Sequence, residues 1–478
     1  MNTVAREPDR AVAAAAAAAR AWAESAPTDR AYALEAVAEA LEAERAELVA
    51  LAGAETNLGA ARLNSELTRT TFQLRLFAEE VRAGAYLDVR IDRPDPEWPT
   101  GPRPELRRYR TALGPVLVFA AGNFPFALSV AGSDTVSAWA AGCPVIVKAH
   151  PGHPELSRRT AEIIQKAMAE AGAPDGVFGL IEGQQAGIDA LRHPALRAAA
   201  FTGSERGGLA LARIAAERPE PIPFYGELGS VNPVVVTPAA AAARGAEIAQ
   251  GFVGSLTLGA GQFCTKPGLL FVPAGSGLVD EIVRLLREVP SAPMLGSWIS
   301  DAYVEGARRL ADRPTTSRLV WPDDAASVAP RLLCTDLASF ATDIEAAAQE
   351  CFGPLGLVVT YEQPEDLPAV MAALPGQLTA SVHGEPAEAA ELADLTAALA
   401  ERSGRVLWNE WPTGASVTHA MQHGGPFPAT TAPAITSIGT AAIDRFLRPV
   451  SYQSVPEPLL PPPLRDDNPW RVPQRVRP

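Results

Sequence analysis

Between Leu113 and Tyr225, short apolar segments alternate with segments of helical periodicity, and this alternation is the strongest constraint on the fold. Strands that alternate with helices form right-handed crossovers, which predicts a doubly wound parallel sheet in an α/β protein. The predicted strands are Val116–Phe119, Val145–Lys148, Val177–Ile181 and Ala198–Phe201. The predicted helices are Ala127–Ala141, Pro154–Ala171, Gly187–Leu191 and Gly207–Glu217.

A second alternating series follows from Ser230 to about Pro426 and predicts another α/β domain. Its strands are predicted at Leu269–Val272, Leu355–Thr360 and Leu378–Val382. A helical layer precedes the first sheet, with helices predicted at Ala11–Ser25, Asp29–Ala52 and Gly59–Ala83. Thr28 is expected to cap the second of these helices, because a hydroxyl before a helix accepts a bond from a free backbone N–H.

Two polar, proline-rich segments accompany these domains. The segment from Leu87 to Thr111 carries short alternating apolar runs and predicts a protruding hairpin that interrupts the first domain. The tail after Val450 contains too many prolines for a helix and predicts an extended arm.

Length and composition restrict the class of protein. A chain of 478 residues suggests two or three domains, and its 47% hydrophobic and 20% charged residues suit a soluble globular protein. The formal charge of −14 argues against a nucleic-acid or anionic-membrane partner. No apolar run has the length of a membrane span. The run Ala13–Ala19 follows the acidic Glu7 and Asp9, which indicates a surface helix and not a signal peptide.

Cysteine spacing indicates a reducing compartment. The four cysteines lie far apart in the chain, at Cys143, Cys264, Cys334 and Cys351. This spacing indicates neither a disulfide framework nor a zinc site, so a cytoplasmic location and no bound metal are expected.

Cys264 lies between a predicted helix, Gly245–Gly259, and a predicted buried strand, Gly268–Val272. A thiolate at such a junction is a strong nucleophile toward a carbonyl. The alternative is that Cys264 is a small buried hydrophobic residue, which is the commoner use of a single cysteine.

Two other segments carry polar groups in apolar surroundings. Glu227 lies between Gly226 and Gly229 in an apolar stretch, where burial raises a carboxyl pKa and makes a general base near neutral pH. Asn123 follows the predicted strand at 116–119, and its amide can donate to a developing oxyanion. A plain turn-forming asparagine is the alternative.

Taken in order, Asn123-Phe124-Pro125, Glu227-Leu228-Gly229 and Gly261-Gln262-Phe263-Cys264 resemble the motifs of the aldehyde dehydrogenase superfamily. The resemblance runs from about Ala33 to about Gln453. It implies a variant Rossmann cofactor domain, a second α/β catalytic domain and a small β oligomerisation element. The implied bounds are 1–86 and 112–228 for the cofactor domain, 229–427 for the catalytic domain, and 87–111 and 428–478 for the oligomerisation hairpin and C-terminal bridging arm.

The resemblance also implies roles. Cys264 would form a thiohemiacetal and then a thioester with an aldehyde, Asn123 would bind the oxyanion, and Glu227 would activate the hydrolytic water. No Gly-x-Gly-x-x-Gly fingerprint is present, so the cofactor site is implied by the family alone. The implied cofactor residues are Lys148 at the adenosine ribose, Gly203, Ser204 and Gly208 at the pyrophosphate, Glu350 at the nicotinamide ribose and Phe352 near the ring.

Cofactor choice depends on the residues after Lys148. NAD-selective relatives commonly carry a glutamate three residues after this lysine, where Pro151 stands here. The missing carboxylate removes repulsion of a 2′-phosphate, and His150 or Lys148 can add attraction. NADP is therefore expected, with NAD as the alternative.

Four further segments resemble one branch of the superfamily, the 2-oxoglutarate semialdehyde (2,5-dioxopentanoate) dehydrogenases and related bacterial NADP-linked long-chain aldehyde enzymes. They are residues 69–78, 142–144, 404–414 and 423–431. Ala432 and Ala434 stand where the branch usually has Asp and Arg. If that Arg binds a substrate carboxylate, its absence weakens the assignment of a dicarboxylic semialdehyde as substrate. The apolar pocket candidates suit a hydrophobic aldehyde about as well, and they are Phe124, Phe126, Phe263 and Trp411.

Two other functional classes stay open from the residues. A catalytically silent binding protein would have lost Cys264, Glu227 or Asn123, and all three are present. A cysteine hydrolase would need a histidine to activate the thiol, and none lies near Cys264 in sequence. The resemblance further implies a homodimer or a dimer of dimers, assembled through the hairpin and the arm.

Overall fold

The computed structural model describes residues 7–324 and 326–478. It opens with four helices, α1 at Glu7–Ala23, α2 at Pro27–Ala43, α3 at Arg45–Thr56 and α4 at Ala60–Ala83. The single helix expected at Asp29–Ala52 is wrong, because the backbone leaves helical geometry at Glu44. The Thr28 cap is also wrong. Proline prefers the first turn, so Pro27 begins the helix with Ala26 before it, and Thr28 lies inside.

A hairpin follows, formed by strands β1 at Val89–Asp92 and β2 at Leu106–Ala112. The two strands pair antiparallel, as the alternating pattern predicts.

Next come five parallel strands and four helices. The strands are β3 at Val116–Phe119, β4 at Val145–Lys148, β5 at Phe178–Ile181, β6 at Ala198–Thr202 and β7 at Phe224–Glu227. The helices are α5 at Ser133–Ala141, α6 at Pro154–Glu170, α7 at Gln184–Arg192 and α8 at Glu205–Ala216. The sheet order is β5-β4-β3-β6-β7, so the chain reverses its direction of winding between β3 and β6.

Both faces of this sheet are covered. Val116 and Val118 face the core that contains α2, α4 and α5, whereas Leu117 and Phe119 face the core that contains α1 and α7. Helix α5 is shorter than predicted, because residues 127–132 form turns. A buried carboxylate on α4, Glu66, accepts the backbone N–H groups at the start of those turns.

A second, seven-stranded sheet follows. Its strands are β8 at Val234–Val236, β9 at Leu269–Pro273, β10 at Ser317–Val320, β11 at Arg331–Asp336, β12 at Leu355–Tyr361, β13 at Gln377–His383 and β14 at Ser403–Trp408. Its helices are α9 at Pro238–Thr257, bent at Arg244, α10 at Leu278–Arg287, α11 at Ser297–Ala311, α12 at Leu337–Ala341, α13 at Ile344–Ala347, α14 at Leu367–Ala373 and α15 at Ala393–Arg402. The order is β10-β11-β12-β9-β8-β13-β14, parallel except for β10 against β11. This confirms the predicted second α/β unit.

The C-terminal part returns to the hairpin. Strands β15 at Leu447–Gln453 and β16 at Gln474–Arg477 complete a four-stranded sheet with the order β15-β2-β1-β16. The proline-rich tail between them is anchored to its own chain, because Leu460, Leu464 and Val472 are buried in the first core. Pairing of this arm with a second subunit stays a prediction.

Candidate active site

The polar residues of the first sheet gather at one edge, the carboxyl ends of its parallel strands. Asn123 follows β3, Lys148 ends β4, Ser204 follows β6 and Glu227 ends β7. The winding of the sheet reverses at this edge, which is where open α/β sheets bind ligands. Cys264 and Glu350 precede β9 and β12, so the amino ends of the second sheet supply the other side.

The backbone before Cys264 makes a sharp reversal after α9. Gly259, Ala260 and Gly261 all have positive φ angles, of 58°, 56° and 68°. A Cβ on Gly261 would lie 2.4 Å from the backbone carbon of Gly353, so only glycine fits there. The reversal is held to the loop of Asn123, whose Nδ2 donates to the carbonyl of Gln262 at 3.0 Å.

His423 contacts the thiol, with 3.6 Å between Cys264 Sγ and His423 Nε2. The imidazole is buried, and its Nδ1 has no hydrogen-bond partner among the described residues. No local pattern in the sequence pairs this residue with Cys264, since 159 positions separate the two. The available signal was its place at the head of segment 423–431, which resembles the branch.

Burial controls the charge states of this pair. Burial, then the charges of Glu227 and Glu350, raise the pKa of the Cys264 thiol to about 12. Burial, then the charges of Arg405 and Arg69, lower the pKa of His423 to about 3. Near neutral pH the pair therefore consists of a thiol and an uncharged imidazole.

Glu227 is buried close to the same pair. One carboxylate oxygen accepts a hydrogen bond from the Ser437 hydroxyl, and the other, Oε1, has no partner in the described part of the chain. Burial raises the pKa of Glu227 to about 8. Glu227 and His423 line a cavity with room for about one water molecule.

Aromatic side chains of the Asn123 loop and the Cys264 loop pack on each other. The rings of Phe124 and Phe263 meet edge to face at a centroid distance of 5.3 Å, and the Arg62 guanidinium lies over both rings, 4.6 and 4.7 Å from their centroids. Two other pocket candidates lie elsewhere. Phe126 is buried in the first core, and Trp411 packs against Phe252 and His383 in the second domain.

The turn after β4 forms the site expected for the adenosine end of the cofactor. Lys148 is partly exposed, and its ammonium makes no hydrogen bond or ion pair among the described residues. Pro151 is exposed in the following turn. His150 stacks against His153 and lies near Trp298, and burial lowers its pKa to about 3. His150 is therefore uncharged at neutral pH, so Lys148 is the cation at this turn.

The expected pyrophosphate segment begins α8. The hydroxyl of Ser204 caps this helix by accepting the N–H of Gly207 at 3.3 Å. Free N–H groups of such a helix start attract anions. A Cβ on Gly208 would lie 2.2 Å from the Leu228 side chain, and one on Gly203 would lie 2.6 Å from the Phe201 ring, so both glycines allow close packing.

Glu350 and Phe352 stand opposite, before β12. The Glu350 carboxylate packs on the backbone of Gly229, where a Cβ would lie 2.3 Å from Oε2. Burial raises its pKa to about 7. Phe352 is partly exposed. An unpaired lysine, a helix start and a carboxylate around one edge fit a dinucleotide cofactor.

Neither a metal-binding cluster nor a membrane-spanning helix occurs among the described residues. Within residues 7–324 and 326–478, no group of three or more His, Cys, Asp or Glu side chains is arranged to hold a metal ion. In the same residues, no helix has both the length and the apolar character needed to cross a bilayer.

Comparisons with known proteins agree with this geometry. Alpha-ketoglutaric semialdehyde dehydrogenase 2 of Azospirillum brasilense is 45% identical over 460 residues, covering 93% of this chain and 86% of that protein. Alpha-ketoglutaric semialdehyde dehydrogenase of Acinetobacter baylyi is 41% identical over 436 residues, covering 90% of this chain and 83% of that protein.

Solved structures show the same fold. Methylmalonate-semialdehyde dehydrogenase from Oceanimonas doudoroffii superimposes with a TM-score of 0.78 at 18% identity, over 94% of this chain and 90% of that one. NAD-dependent aldehyde dehydrogenase from Sinorhizobium meliloti superimposes with a TM-score of 0.76 at 23% sequence identity. The superposition covers 95% of this chain and 88% of that one. The sequence model of the aldehyde dehydrogenase family matches residues 2–426. The chain belongs to the aldehyde dehydrogenase family and is an enzyme of that class.

Proposed function

We propose that this enzyme oxidises 2,5-dioxopentanoate to 2-oxoglutarate with NADP as the preferred acceptor, through a thioester on Cys264. The observation that carries the chemistry is the contact of the Cys264 thiol with an uncharged imidazole, beside the buried carboxyl of Glu227. The substrate rests on the two bacterial relatives, which are named as alpha-ketoglutaric semialdehyde dehydrogenases.

The thiol is the nucleophile, and Nε2 of His423 is in contact with it. The imidazole is too weak a base to ionise the resting thiol, so the proton passes to Nε2 only as Sγ forms its bond to the aldehyde carbon. The oxyanion that forms accepts bonds from the Cys264 backbone N–H and from the Asn123 amide. An amide nitrogen carries two hydrogens, so Asn123 can hold the Gln262 carbonyl with one and the oxyanion with the other. A donor of this kind contributes about 3 kcal/mol.

NAD(P), when bound, supplies a hydride acceptor. Lys148 would hold its adenosine ribose, and Gly203, Ser204 and Gly208 would border its pyrophosphate. Glu350 would bind the nicotinamide ribose, with Phe352 packed near the ring. Together these residues would hold the acceptor close to the carbon attached to Cys264.

Glu227 completes turnover by hydrolysing the thioester. Its free Oε1 borders the cavity with room for one water, so it can take a proton from the attacking water. The Ser437 hydroxyl holds the other oxygen and keeps the carboxylate oriented. A pKa of about 8 leaves part of the Glu227 population ionised near neutral pH.

The preference for NADP rests on the turn after β4. Pro151 is exposed and carries no charge, and Lys148 has a free ammonium. A 2′-phosphate would meet attraction from Lys148 and no repulsion from residue 151.

A hydrophobic aldehyde is the second candidate substrate, favoured by the Phe124–Phe263 pair of the Asn123 and Cys264 loops. A cysteine hydrolase would also use a Cys–His pair, but membership of a dehydrogenase family argues against it. The test compares 2,5-dioxopentanoate with aliphatic aldehydes of increasing length, each with NADP and with NAD, by the absorbance of reduced cofactor. A higher kcat/KM for a long aliphatic aldehyde would replace the proposed substrate.

Assembly and location complete the proposal. We propose the cofactor domain, catalytic domain and oligomerisation element at the bounds expected from the resemblance, and a homodimer or dimer of dimers. Residues 1–6, which the proposed bounds assign to the cofactor domain, lie outside the described residues. The edge strand β14 exposes Val406 and Trp408, which supports association there. Light scattering of the purified protein tests the oligomeric state. Four free cysteines support a reducing cytoplasm.

A further inference from the structure

Helix α4 lies against the catalytic loops along one face. Arg62 donates to the carbonyl of Asn123 at 3.1 Å and covers the Phe124–Phe263 pair. One turn later, Glu66 accepts the backbone N–H groups of Phe126 and Ala127 at 2.8 and 3.0 Å. Residues three, four and seven apart share a helix face, so the next side chain on this face is Arg69.

Arg69 carries a charge without a partner. Its Nε is buried and makes no hydrogen bond, and no ion pair to its guanidinium occurs in the described part of the chain. Gln73, one turn further along, is 1% exposed, and its side-chain nitrogen also has no partner. An unpaired cation and an unpaired amide donor one turn apart on one face can both donate to the same ligand.

The contacts of Arg62 and Glu66 place this face of α4 beside the catalytic loops, and the electrostatic effects of Arg69 agree with that placement. Burial dominates the pKa values of Cys264 and His423, but the charge of Arg69 acts on both groups. Arg405 acts on His423 as well, yet its Nη2 is already bonded to the carbonyls of Pro412 and Gly414 at 2.7 and 2.9 Å. Of these two cations near the thiol, Arg69 is the one whose guanidinium makes no hydrogen bond in the described part of the chain.

The arginine that the branch usually carries two residues after Asp is absent here. Ala434 occupies that position and is exposed in a turn, so nothing there can reach a substrate carboxylate. We propose that Arg69 binds the carboxylate of the aldehyde substrate and that Gln73 assists it, because a planar cation and an amide donor on one helix face suit a carboxylate. This inference rests on the proposed function, because it needs a substrate with a carboxylate remote from its aldehyde.

The test compares 2,5-dioxopentanoate with pentanal, an uncharged aldehyde of the same chain length, in the wild type, Arg69→Met and Arg69→Lys. Arg69→Met should lower kcat/KM for 2,5-dioxopentanoate about 10- to 100-fold, mainly through KM, because it removes a charge-assisted bond. Its kcat/KM for pentanal, which has no carboxylate, should fall by a much smaller factor. Arg69→Lys should fall between, since it keeps the charge and loses the planar fork.

A binding measurement and a matched control separate recognition from folding. Arg75→Met changes an exposed arginine on the same helix and should leave both aldehydes unaffected. Added 2-oxoglutarate should raise the Tm of the wild type and of Arg75→Met, and should leave the Tm of Arg69→Met unchanged.

The outcomes distinguish the two proposals. A wild type that does not prefer 2,5-dioxopentanoate over pentanal would refute the proposed substrate, and the role of Arg69 with it. A wild-type preference that survives in Arg69→Met would overturn the role of Arg69 alone. An equal loss on both aldehydes would also overturn it, because Arg69 would then act on the thiol or the fold.

Discussion

The sulfur of Cys264 lies 3.6 Å from Nε2 of His423, although 159 residues separate them in the chain. Burial keeps both partners uncharged at neutral pH, with the thiol pKa raised to about 12 and the imidazole pKa lowered to about 3. The resting nucleophile is therefore a thiol that needs a base at the moment of attack. In the proposed mechanism, His423 serves acylation and Glu227 serves hydrolysis.

Cys264→Ala should abolish aldehyde oxidation and leave cofactor binding within about 3-fold of wild type, because the thiol forms the covalent bond but is not a cofactor contact. Cofactor titration by fluorescence and the steady-state rate measure the two properties. Cys334→Ala is the control, since this cysteine is also free and partly exposed but lies on β11. Turnover by Cys264→Ala near the wild-type rate would contradict the mechanism.

His423→Gln should slow the first turnover about 10²- to 10⁴-fold, because the thiol loses its base. Rapid mixing, which follows reduced cofactor in the first turnover, measures this step, and alkylation of Cys264 by iodoacetamide should slow in parallel. A base works unprotonated, and the lowered pKa of His423 leaves it so at ordinary pH. The wild-type first turnover should therefore show no imidazole ionisation between about pH 5 and about pH 8. A change in the wild-type first-turnover rate near the ordinary histidine pKa would argue against His423 as the base.

Glu227→Gln should slow thioester hydrolysis more than acylation, so a rapid burst of reduced cofactor should precede a slow steady state. The base must be ionised, and burial raises its pKa to about 8, so the wild-type steady-state rate should rise with pH and level off above about pH 8 where hydrolysis limits. The hydrogen bond from the Ser437 hydroxyl favours the ionised form of Glu227. Ser437→Ala should therefore move the rise of the steady-state rate to higher pH. A first turnover slowed as much as later ones would show that Glu227 is not mainly the hydrolytic base.

Pro151→Glu should shift preference from NADP toward NAD by about tenfold or more in the ratio of kcat/KM values, because a carboxylate would repel the 2′-phosphate. Initial rates with both cofactors measure the ratio. Pro151→Gln is the matched control, since it also frees the φ angle that proline restricts but adds no charge. Equal loss of NADP use in both variants would mean that loop geometry sets the preference, and a wild type that prefers NAD would refute the premise.

Much of the fold was predictable because its signals are local. The apolar segments at 116–119 and 145–148 appear as β3 and β4 with their predicted bounds, since continuous apolar runs of this length are buried strands. The failures lie where a distant contact overrides a local preference. Glu66 on α4 binds the backbone at 126 and 127, so the helix predicted from Ala127 begins at Ser133.

The sequence by itself determined the family, the two α/β units and the identity of Cys264, Glu227 and Asn123 as candidates, because motif order and periodicity are properties of the chain. Only the tertiary structure decided which side chains meet them. His423 reaches the thiol across 159 residues, and the charge of Arg69 acts on the thiol from a helix that precedes the first sheet. Burial then set the charge of each group, and burial depends on packing between elements that no local pattern records.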